Sequence, residues 1–230
     1  MSGTVAVVAQ DSARYTMFSV CLTQLKHPAG TRIDWGLSTY VPGARNTLVQ
    51  RSLEEGSDWI LFLDDDQVFA PELLLNLLAW DKPVVSALYL QRAGSHEPVA
   101  LNRSEDGYTP IDLKQLPGEG LLKVDAVGAG GLLVRSDIFR MEERWDWFSY
   151  SQDETGWAAS EDVIFCERLA RLGIDVYVDL ATTMGHMAPS SIWPSFIDKE
   201  WCFGFSVSDN TRVFVPIETD AAEAADAVRR

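Results

Sequence analysis

Short apolar runs alternate with helical patterns along most of the chain. Runs rich in Val, Ile and Leu predict buried strands, and apolar positions that recur every three or four residues predict helices. Strands and helices that alternate in this way predict an α/β fold with a mostly parallel, Rossmann-like sheet flanked by helices. The predicted strands span residues 4–9, 31–39, 59–63, 83–89, 121–127, 132–134 and 174–179, and the predicted helices span residues 13–25, 44–55, 72–80 and 160–172.

Two stretches depart from this alternation, within what we expect to be a single domain over residues 1–230. Residues 91–120 are rich in Gly, Pro, Ser and Asp, which predicts loops and a short β hairpin. The segment that begins at residue 189 is strongly aromatic, which is typical of a lid or binding platform, or of a helix packed on the sheet. Residues 221–230 have the composition of a loosely docked helix.

Composition narrows the class of protein. The chain of 230 residues has an apolar share of 47%, which suffices for a packed core. Its formal net charge of −15 argues against a nucleic-acid partner, because phosphate backbones are bound by clustered Lys and Arg. The 3 cysteines are widely spaced, and no run approaches the roughly 20 apolar residues of a membrane span. We therefore expect free thiols, no membrane span and a cytoplasmic protein.

Three adjacent carboxylates end the apolar strand at residues 59–63. Asp64, Asp65 and Asp66 repel one another, so the cluster is stable mainly when a divalent cation or hydrogen bonds neutralise it. On an extended chain, Asp64 and Asp66 would face one side and Asp65 the other. The carboxyl end of a strand is also where open α/β sheets bind their ligands. A solvated acidic turn before Pro71 is the alternative interpretation.

A second acidic group, Ser160-Glu161-Asp162, begins a predicted helix. Ser160 suits the N-cap and both acids complement the positive end of a helix, so a purely structural role explains all three. Aromatic side chains crowd the segment before them, as they do in sugar-binding pockets and also in ordinary cores. These side chains are Trp145, Trp147, Phe148, Tyr150 and Trp157.

A single histidine lies in a predicted loop after the last predicted strand, in the segment Gly185-His186-Met187. Its small and flexible neighbours would let an imidazole approach a metal ion. No second His or Cys stands at a ligand interval from it, so spacing alone favours a structural role for His186.

Taken in order, these motifs resemble glycosyltransferases of the GT-A fold, close to the family-two-like type. The likeness spans about residues 5–187, and the order of the motifs is its most specific part. Because of this likeness, we favour a metal-ligand role for His186 over a structural role. The matching motifs are Asp64-x-Asp66 after an apolar strand, Ala44-Arg45-Asn46 before it, Tyr89 and Arg92, the Gly128–Gly131 turn, Glu161-Asp162 and His186.

The resemblance implies a reaction and a cofactor. In such an enzyme a Mn²⁺ or Mg²⁺ ion bridges the diphosphate of a nucleotide sugar, with a UDP-sugar favoured. The sugar passes, with inversion expected, to a hydroxyl of a glycan, protein or small molecule, and an acid at the helix start deprotonates that hydroxyl. Asp162 fits that place best, and Glu161 fits it next. The implied metal ligands are Asp64, Asp66 and His186, and the implied nucleotide-sugar contacts are Arg45, Asp64, Asp65, Arg92, Gly130 and Gly131.

The same resemblance suggests how the domain is divided. Residues 1–90 would bind the nucleotide sugar, residues 91–188 would hold the catalytic half, and residues 189–230 would form a lid or tail. We expect acceptor contacts at Trp157 and Trp193. Family members often carry a Pro-Thr-x-Arg-like segment and an acidic residue after the first and second strands. Here Gln10-Asp11-Ser12 and Ser38-Thr39-Tyr40 occupy those positions. The sequence therefore does not identify the base of the nucleotide.

Two other functions remain possible. Asp64-x-Asp66-x-Val68 resembles the nucleophile motif of Mg-dependent phosphatases of the haloacid-dehalogenase type. In those enzymes the motif follows the first strand of the core, whereas here two predicted strands precede it. The second alternative is a non-catalytic nucleotide-sugar or glycan-binding module, which is favoured if Asp162 only caps its helix. The reaction products distinguish these functions.

Overall fold

The chain forms two compact units in a computed structural model. Residues 1–91 and 97–187 make up the first unit, and residues 92–96 and 188–230 make up the second. The structure describes residues 2–9, 16–92, 96–105, 107–152, 158–188, 190–197, 200–207 and 212–216, with the backbone alone described for residues 152, 158, 190–197, 200–207 and 212–216.

The first unit is an α/β structure in the predicted order. Each predicted helix is confirmed, with its ends shifted by a few residues. The helices are α1 (Thr16–Gln24), α2 (Val41–Glu54), α3 (Leu73–Ala79) and α4 (Glu161–Arg171). The strands are β1 (Gly3–Ala9), β2 (Arg32–Leu37), β3 (Trp59–Asp64), β4 (Gln67–Phe69), β5 (Val84–Leu88), β6 (Ala100–Ser104), β7 (Gly107–Pro110), β8 (Leu121–Val124), β9 (Ala126–Val127), β10 (Gly131–Arg135), β11 (Ser151–Gln152), β12 (Ala158–Ala159) and β13 (Val176–His186).

The central sheet confirms the expected fold class. Its strand order is β2-β1-β3-β10-β5-β13-β4, with β8 paired to β13. The strands β2, β1, β3, β5 and β13 run in one direction, but β10 lies antiparallel between β3 and β5. No crossover helix separates β5 from β10, since the chain passes through short strands there, and an antiparallel neighbour needs no such crossover.

Apolar side chains cover both faces of this sheet. Ile60 and Phe62 of β3 pack on the face that carries α2 and α4. Leu61 and Leu63 point to the opposite face and pack with α1 and α3. All four side chains are fully buried. Burial on both faces explains why β3 reads as a continuous apolar run, and each such side chain contributes about 1.5–3 kcal/mol.

Two glycines end the helices on one face of the sheet. Gly56 follows α2 and Gly173 follows α4, each with φ of +73°. This left-handed conformation is one that glycine adopts without steric cost. Both helices therefore stop within a few residues of the strand that follows, β3 after α2 and β13 after α4.

The carboxyl ends of β1, β3, β5 and β13 meet at one edge of the sheet. The strand β1 lies between β2 and β3. The connection from β1 to β2 and the connection from β2 to β3 therefore run in opposite directions across the sheet. Open α/β sheets bind ligands at such a switch point. The Asp64-Asp65-Asp66 segment follows β3 at this edge.

Smaller elements complete both units. The strands β7, β6 and β9 form an antiparallel sheet, which confirms the short hairpin expected within residues 91–120, and β11 pairs with β12. In the second unit, β14 (Ser190–Ile197), β15 (Glu200–Val207) and β16 (Arg212–Pro216) form an antiparallel sheet. The helical alternative is therefore wrong for these residues, while residues 221–230 lie outside the described part. Among the described helices, none has the length and apolar character needed to cross a membrane.

Candidate functional site at the carboxyl edge of the sheet

The centre of the candidate site is a buried guanidinium. Arg45 lies on α2 with 3% of its side chain exposed. Its Nη2 donates to Oδ1 of Asp64 at 2.8 Å, and its Nη1 donates to the carbonyl oxygen of Ala129 at 3.0 Å. Its Nε donates to Oε1 of Glu161 at 3.3 Å. One side chain thus joins α2, the end of β3, the glycine turn and the start of α4.

Burial shifts the pKa values of the three charged side chains in this network. Burial raises the pKa of Asp64, and the neighbouring Arg45 opposes the rise without cancelling it. Burial also raises the pKa of Glu161, again against the effect of Arg45. Burial alone would lower the pKa of Arg45, but Asp64 and Glu161 outweigh it and the pKa lies above its ordinary value. Arg45 therefore stays charged and holds two partly desolvated carboxylates.

A second pair of side chains lies at the same edge. Nε2 of His186 faces Oδ2 of Asp66 at 3.3 Å, and the two side chains are 19% and 13% exposed. Nδ1 of His186 lies 3.0 Å from the carbonyl oxygen of Leu90. Because a carbonyl only accepts, Nδ1 carries the proton, and a neutral ring then presents its lone pair at Nε2. A neutral ring would share a cation with Asp66 through Nε2, whereas a protonated ring would donate its Nε2–H to that carboxylate.

Two local predictions about these residues are wrong. Asp65 and Asp66 form a turn between β3 and β4 instead of continuing the strand, so the alternation expected of an extended chain does not apply. Asp64 accordingly contacts Arg45, while Asp66 contacts His186. His186 is the last residue of the long strand β13, where it pairs with β4, rather than part of a loop. This long-range pairing brings His186 beside Asp66.

The glycine turn packs against side chains of the same edge. A Cβ on Gly130 would lie 2.7 Å from Nε2 of Gln67, 2.9 Å from Oδ2 of Asp64 and 3.2 Å from the hydroxyl of Tyr89. The N–H of Gly130 donates to that hydroxyl at 3.1 Å. Close packing within the protein therefore accounts for a glycine at this position. Contact of Gly130 or Gly131 with a donor sugar stays a prediction.

The two acids of α4 lie in different surroundings. Glu161 is 10% exposed and is bound to Arg45. Asp162 is half-buried, and its Oδ1 accepts the N–H of Val163 at 2.8 Å and the hydroxyl of Ser160. Ser160 occupies the N-cap position but makes no capping bond, because its hydroxyl donates to Asp162 instead. Within the described part of the chain, Oδ2 of Asp162 accepts no hydrogen bond and so stays available.

The aromatic segment before α4 divides into core and surface. Trp147 and Phe148 are each 1% exposed and belong to the core layer of α2 and α4. The side chain of Asn46 holds the backbone of Phe148, accepting its N–H at 2.9 Å and donating to its carbonyl at 2.8 Å. These two rings are therefore ordinary core residues. Trp145 and Tyr150 are 66% and 55% exposed and remain accessible.

Three residues expected at the site lie in the second unit or have no described side chain. Arg92 is exposed and belongs to the second unit. Trp193 lies in β14, where the backbone alone is described, and Trp157 lies outside the described residues. Their contacts with donor or acceptor stay predictions.

Of two buried polar residues at this edge, the sequence interpretation missed Gln67 and matched Tyr89 only as part of a motif. Gln67 is fully buried directly after Asp66, and Tyr89 is 6% exposed with its hydroxyl on Gly130. Burial, and then the charge of Asp64, raises the pKa of Tyr89 well above its ordinary value, so this hydroxyl stays neutral. The only signal for Gln67 was a polar residue beside the apolar pair Val68-Phe69.

The donor atoms fit a hard divalent ion that arrives with a phosphate ligand. Asp66 and His186 present one oxygen and one nitrogen, while Asp64 shares its Oδ1 with Arg45. Among the residues that the structure describes, no group of three or more His, Cys, Asp or Glu converges on one point. Mg²⁺ sites, and similarly Mn²⁺ sites, often use one or two protein ligands and complete their shell with substrate phosphates and water. Asp66 and His186 could therefore supply at most two protein ligands to such an ion.

Comparison with known proteins supports the fold. Protein A197 from STIV is 14% identical to this chain with a TM-score of 0.53, and the match covers 94% of this chain and 96% of that one. The structure of GalNAc-T7 with UDP, GalNAc and Mn²⁺ is 11% identical with a TM-score of 0.48, over 78% of this chain and 37% of that one. No protein-family model and no curated protein sequence matches the chain. The likeness to A197 shows a shared fold, and the weaker likeness to GalNAc-T7 carries no further conclusion.

Proposed function

We propose that this protein is a divalent-metal-dependent glycosyltransferase that moves a sugar from a nucleoside-diphosphate sugar to an acceptor hydroxyl. The order of motifs along the chain suggests this activity, and UDP-sugars are the first donors to test. The observation that carries the proposal is the pair formed by Asp66 and His186, whose donor atoms face each other at 3.3 Å. This pair lies at the carboxyl edge of the sheet, where such folds bind their ligands.

An anionic donor needs local positive charge at this site. The formal net charge of the protein is −15, which repels a diphosphate. Arg45 already bonds Asp64 and Glu161, so its charge is largely neutralised within the protein. Mn²⁺ or Mg²⁺ held by Asp66 and His186 would neutralise the diphosphate as the glycosidic bond breaks. In this scheme Arg45 organises the acids of the site, and Asp64 and Asp65 lie beside the nucleotide.

Asp162 is the general base in the proposed inverting transfer. Its Oδ2 would take the proton of the acceptor hydroxyl as that oxygen attacks the anomeric carbon and the bond to the diphosphate breaks. Glu161 is the second candidate, but its bond to Arg45 and its 10% exposure leave less room for an acceptor.

The surroundings of Asp64 disfavour the phosphatase alternative. In that mechanism the first Asp of the motif attacks phosphorus, so its carboxylate must be free to move and to react. Here Arg45 holds Oδ1 of Asp64 at 2.8 Å, and the Gly130 backbone packs close to Oδ2. A carboxylate fixed between a guanidinium and a backbone turn suits binding better than nucleophilic attack.

The decisive experiment measures products. The protein would be incubated with Mn²⁺ and a panel of UDP- and GDP-sugars, and the release of nucleoside diphosphate would be followed with and without sugar acceptors. We expect release that stops in excess chelator. Phosphate release from a phosphomonoester would instead identify a phosphatase. Selective binding of a nucleotide sugar without any product across the acceptor panel would identify a binding module.

A further inference from the structure

Gln67 is a buried amide in the wall of the candidate site. It is the first residue of β4, directly after Asp66, and its side chain is fully buried. In the described part of the chain, neither Nε2 nor Oε1 of this amide has a hydrogen-bond partner. A buried amide without partners destabilises a folded protein, and native structures satisfy most such groups. The residue is therefore either a tolerated defect or a group whose partner comes with a bound state.

Gln67 and Asp64 border the same glycine. Nε2 of Gln67 and Oδ2 of Asp64 both lie against Gly130, at 2.7 Å and 2.9 Å from the position that a Cβ there would occupy. Arg45 bonds only the other oxygen of Asp64, Oδ1. Because both atoms border the same glycine, a rotation of the amide could bring Nε2 within donating distance of Oδ2. The carboxylate would then be held from both sides, by Arg45 and by Gln67.

We propose that Gln67 is a positioning residue for the donor site: its amide bonds Oδ2 of Asp64 when nucleotide and metal bind, and so fixes the orientation of that carboxylate. This inference rests on the proposed function, because Asp64 is one of the residues assigned to the donor. A charge-assisted hydrogen bond is stronger than a neutral one, so an ionised Asp64 is a better partner than water for this amide. The bond would also keep Gly130 pressed against both side chains.

The test replaces the amide by a thioether of similar volume. Gln67→Met should leave the melting temperature of the ligand-free protein unchanged or raise it, because a buried unpartnered amide is removed. The same variant should weaken the binding of UDP in the presence of Mn²⁺ about 10-fold or more, on the scale of lost outer-shell partners. Calorimetric titration of UDP with saturating Mn²⁺ measures the affinity. Gln67→Leu provides a second apolar variant if the first folds poorly.

A matched control lies at the other end of the sheet. Ser136 is also fully buried, and its Oγ has no hydrogen-bond partner among the described residues. Ser136→Ala should therefore change stability in the same direction without affecting the UDP affinity. If Gln67→Met behaves like Ser136→Ala in both measurements, Gln67 is a tolerated defect and the inference fails. A large loss of ligand-free stability in both Gln67 variants would also overturn it.

A double-mutant cycle tests whether Gln67 acts through Asp64. If it does, Gln67→Met should weaken UDP binding little further once Asp64→Asn is present. Fully additive losses would contradict a shared bond. The parent protein separates this inference from the function on which it rests. Absence of any UDP binding by the parent with Mn²⁺ would overturn both, whereas equal affinities of parent and Gln67→Met would overturn the positioning role alone.

Discussion

Both ends of the central sheet carry charged side chains, which are exposed to solvent at one end and largely buried at the other. At the amino end of β3, a cavity of about 330 Å³ is lined in part by Asp81, Arg135 and Asp137. Arg135 lies 3.8 Å from Asp81 and 3.6 Å from Asp137, and these side chains are 51% to 90% exposed. At the carboxyl end, Arg45 is 3% exposed and bonds two carboxylates, beside the pair of Asp66 and His186.

The difference shows which property marks a site. Solvent-exposed ion pairs stabilise a protein by at most about 1 kcal/mol. Charges held away from water cost free energy to bury and are retained where chemistry needs them. A cavity lies at the amino end of the sheet, whereas buried and incompletely neutralised charge lies at the carboxyl end. We therefore place the chemistry at the carboxyl end, and matched substitutions at the two ends test this choice.

The largest effect should come from Asp66. Asp66→Asn removes the charge and one donor oxygen of the proposed metal pair, so transfer and donor hydrolysis should be abolished in assays with Mn²⁺ and a nucleotide sugar. The fold should persist, because one repulsive charge among three neighbouring aspartates is lost. Asp137→Asn is the matched change at the amino end and should leave activity normal. Full activity of Asp66→Asn would remove this residue from the mechanism.

The next largest effect should come from Asp162. Asp162→Asn should lower the single-turnover transfer rate roughly 10²- to 10⁴-fold with donor affinity nearly unchanged, because a general base acts on the acceptor. An acid that only complements the helix end would instead cost about a kcal/mol of stability or less. Melting temperature and rate are therefore measured on the same variant. A collapse seen only in Glu161→Gln would move the role to that residue.

Removal of the buried guanidinium should affect folding. Arg45→Met leaves the carboxylates of Asp64 and Glu161 without their shared partner, which should reduce the free energy of unfolding by about 3–5 kcal/mol. Arg135→Met, at the amino end, should reduce it by about 1 kcal/mol or less. Urea denaturation of both variants measures the contrast. Equal losses would mean that the two ends of the sheet do not differ as described.

A smaller effect is expected for the imidazole. His186→Ala should weaken Mn²⁺ affinity in the presence of UDP about 10- to 100-fold, on the scale of residues that support a metal site. His27 is exposed and serves as the control, so His27→Ala should leave the titration unchanged. Unchanged metal binding in His186→Ala would assign this ring a purely structural role beside Tyr89.

The smallest effect concerns pH. Burial raises the pKa of Glu161 above its ordinary value of 4.5, so the folded protein binds this proton more tightly than the unfolded chain. The contribution of Glu161 to stability is therefore highest at low pH and falls as pH rises from that ordinary value to the raised one. Glu161→Gln should flatten the melting temperature across this window. Glu54→Gln, at an exposed position of α2, should not.

The local pattern of apolar and polar residues predicted the helices and strands of this fold, but not the contacts between residues that are distant in sequence. The apolar run at residues 59–63 and the glycines after α2 and α4 act through neighbours in sequence, so these elements are visible in the chain. Arg45 and Glu161 meet across 116 residues, and His186 reaches Asp66 only because β13 extends to pair with β4. No local period encodes such pairings. The antiparallel position of β10 was hidden for the same reason.

The conformation and burial of residues in the candidate site differed most from what the local sequence predicted. A turn at Asp65-Asp66 replaced the extended conformation expected there, and Gln67 was buried despite its polarity. The strands β14 to β16 were not predicted, although aromatic and β-branched residues such as those in them are typical of strands. Sequence reasoning thus located the edge and the residue types of the site, while the structure showed which acids are already neutralised by Arg45.

The most direct test of the central claim is a pair of calorimetric titrations. Mn²⁺ would be titrated into the parent protein alone and into the protein saturated with UDP, with GDP measured in parallel. Two protein ligands and an incoming diphosphate should give weak binding of the ion alone and about 5- to 150-fold tighter binding with the nucleotide, with the same factor when the order is reversed. Nucleotide binding that is equally tight in excess chelator, or a Mn²⁺ affinity that ignores the nucleotide, would contradict a shared metal at Asp66 and His186.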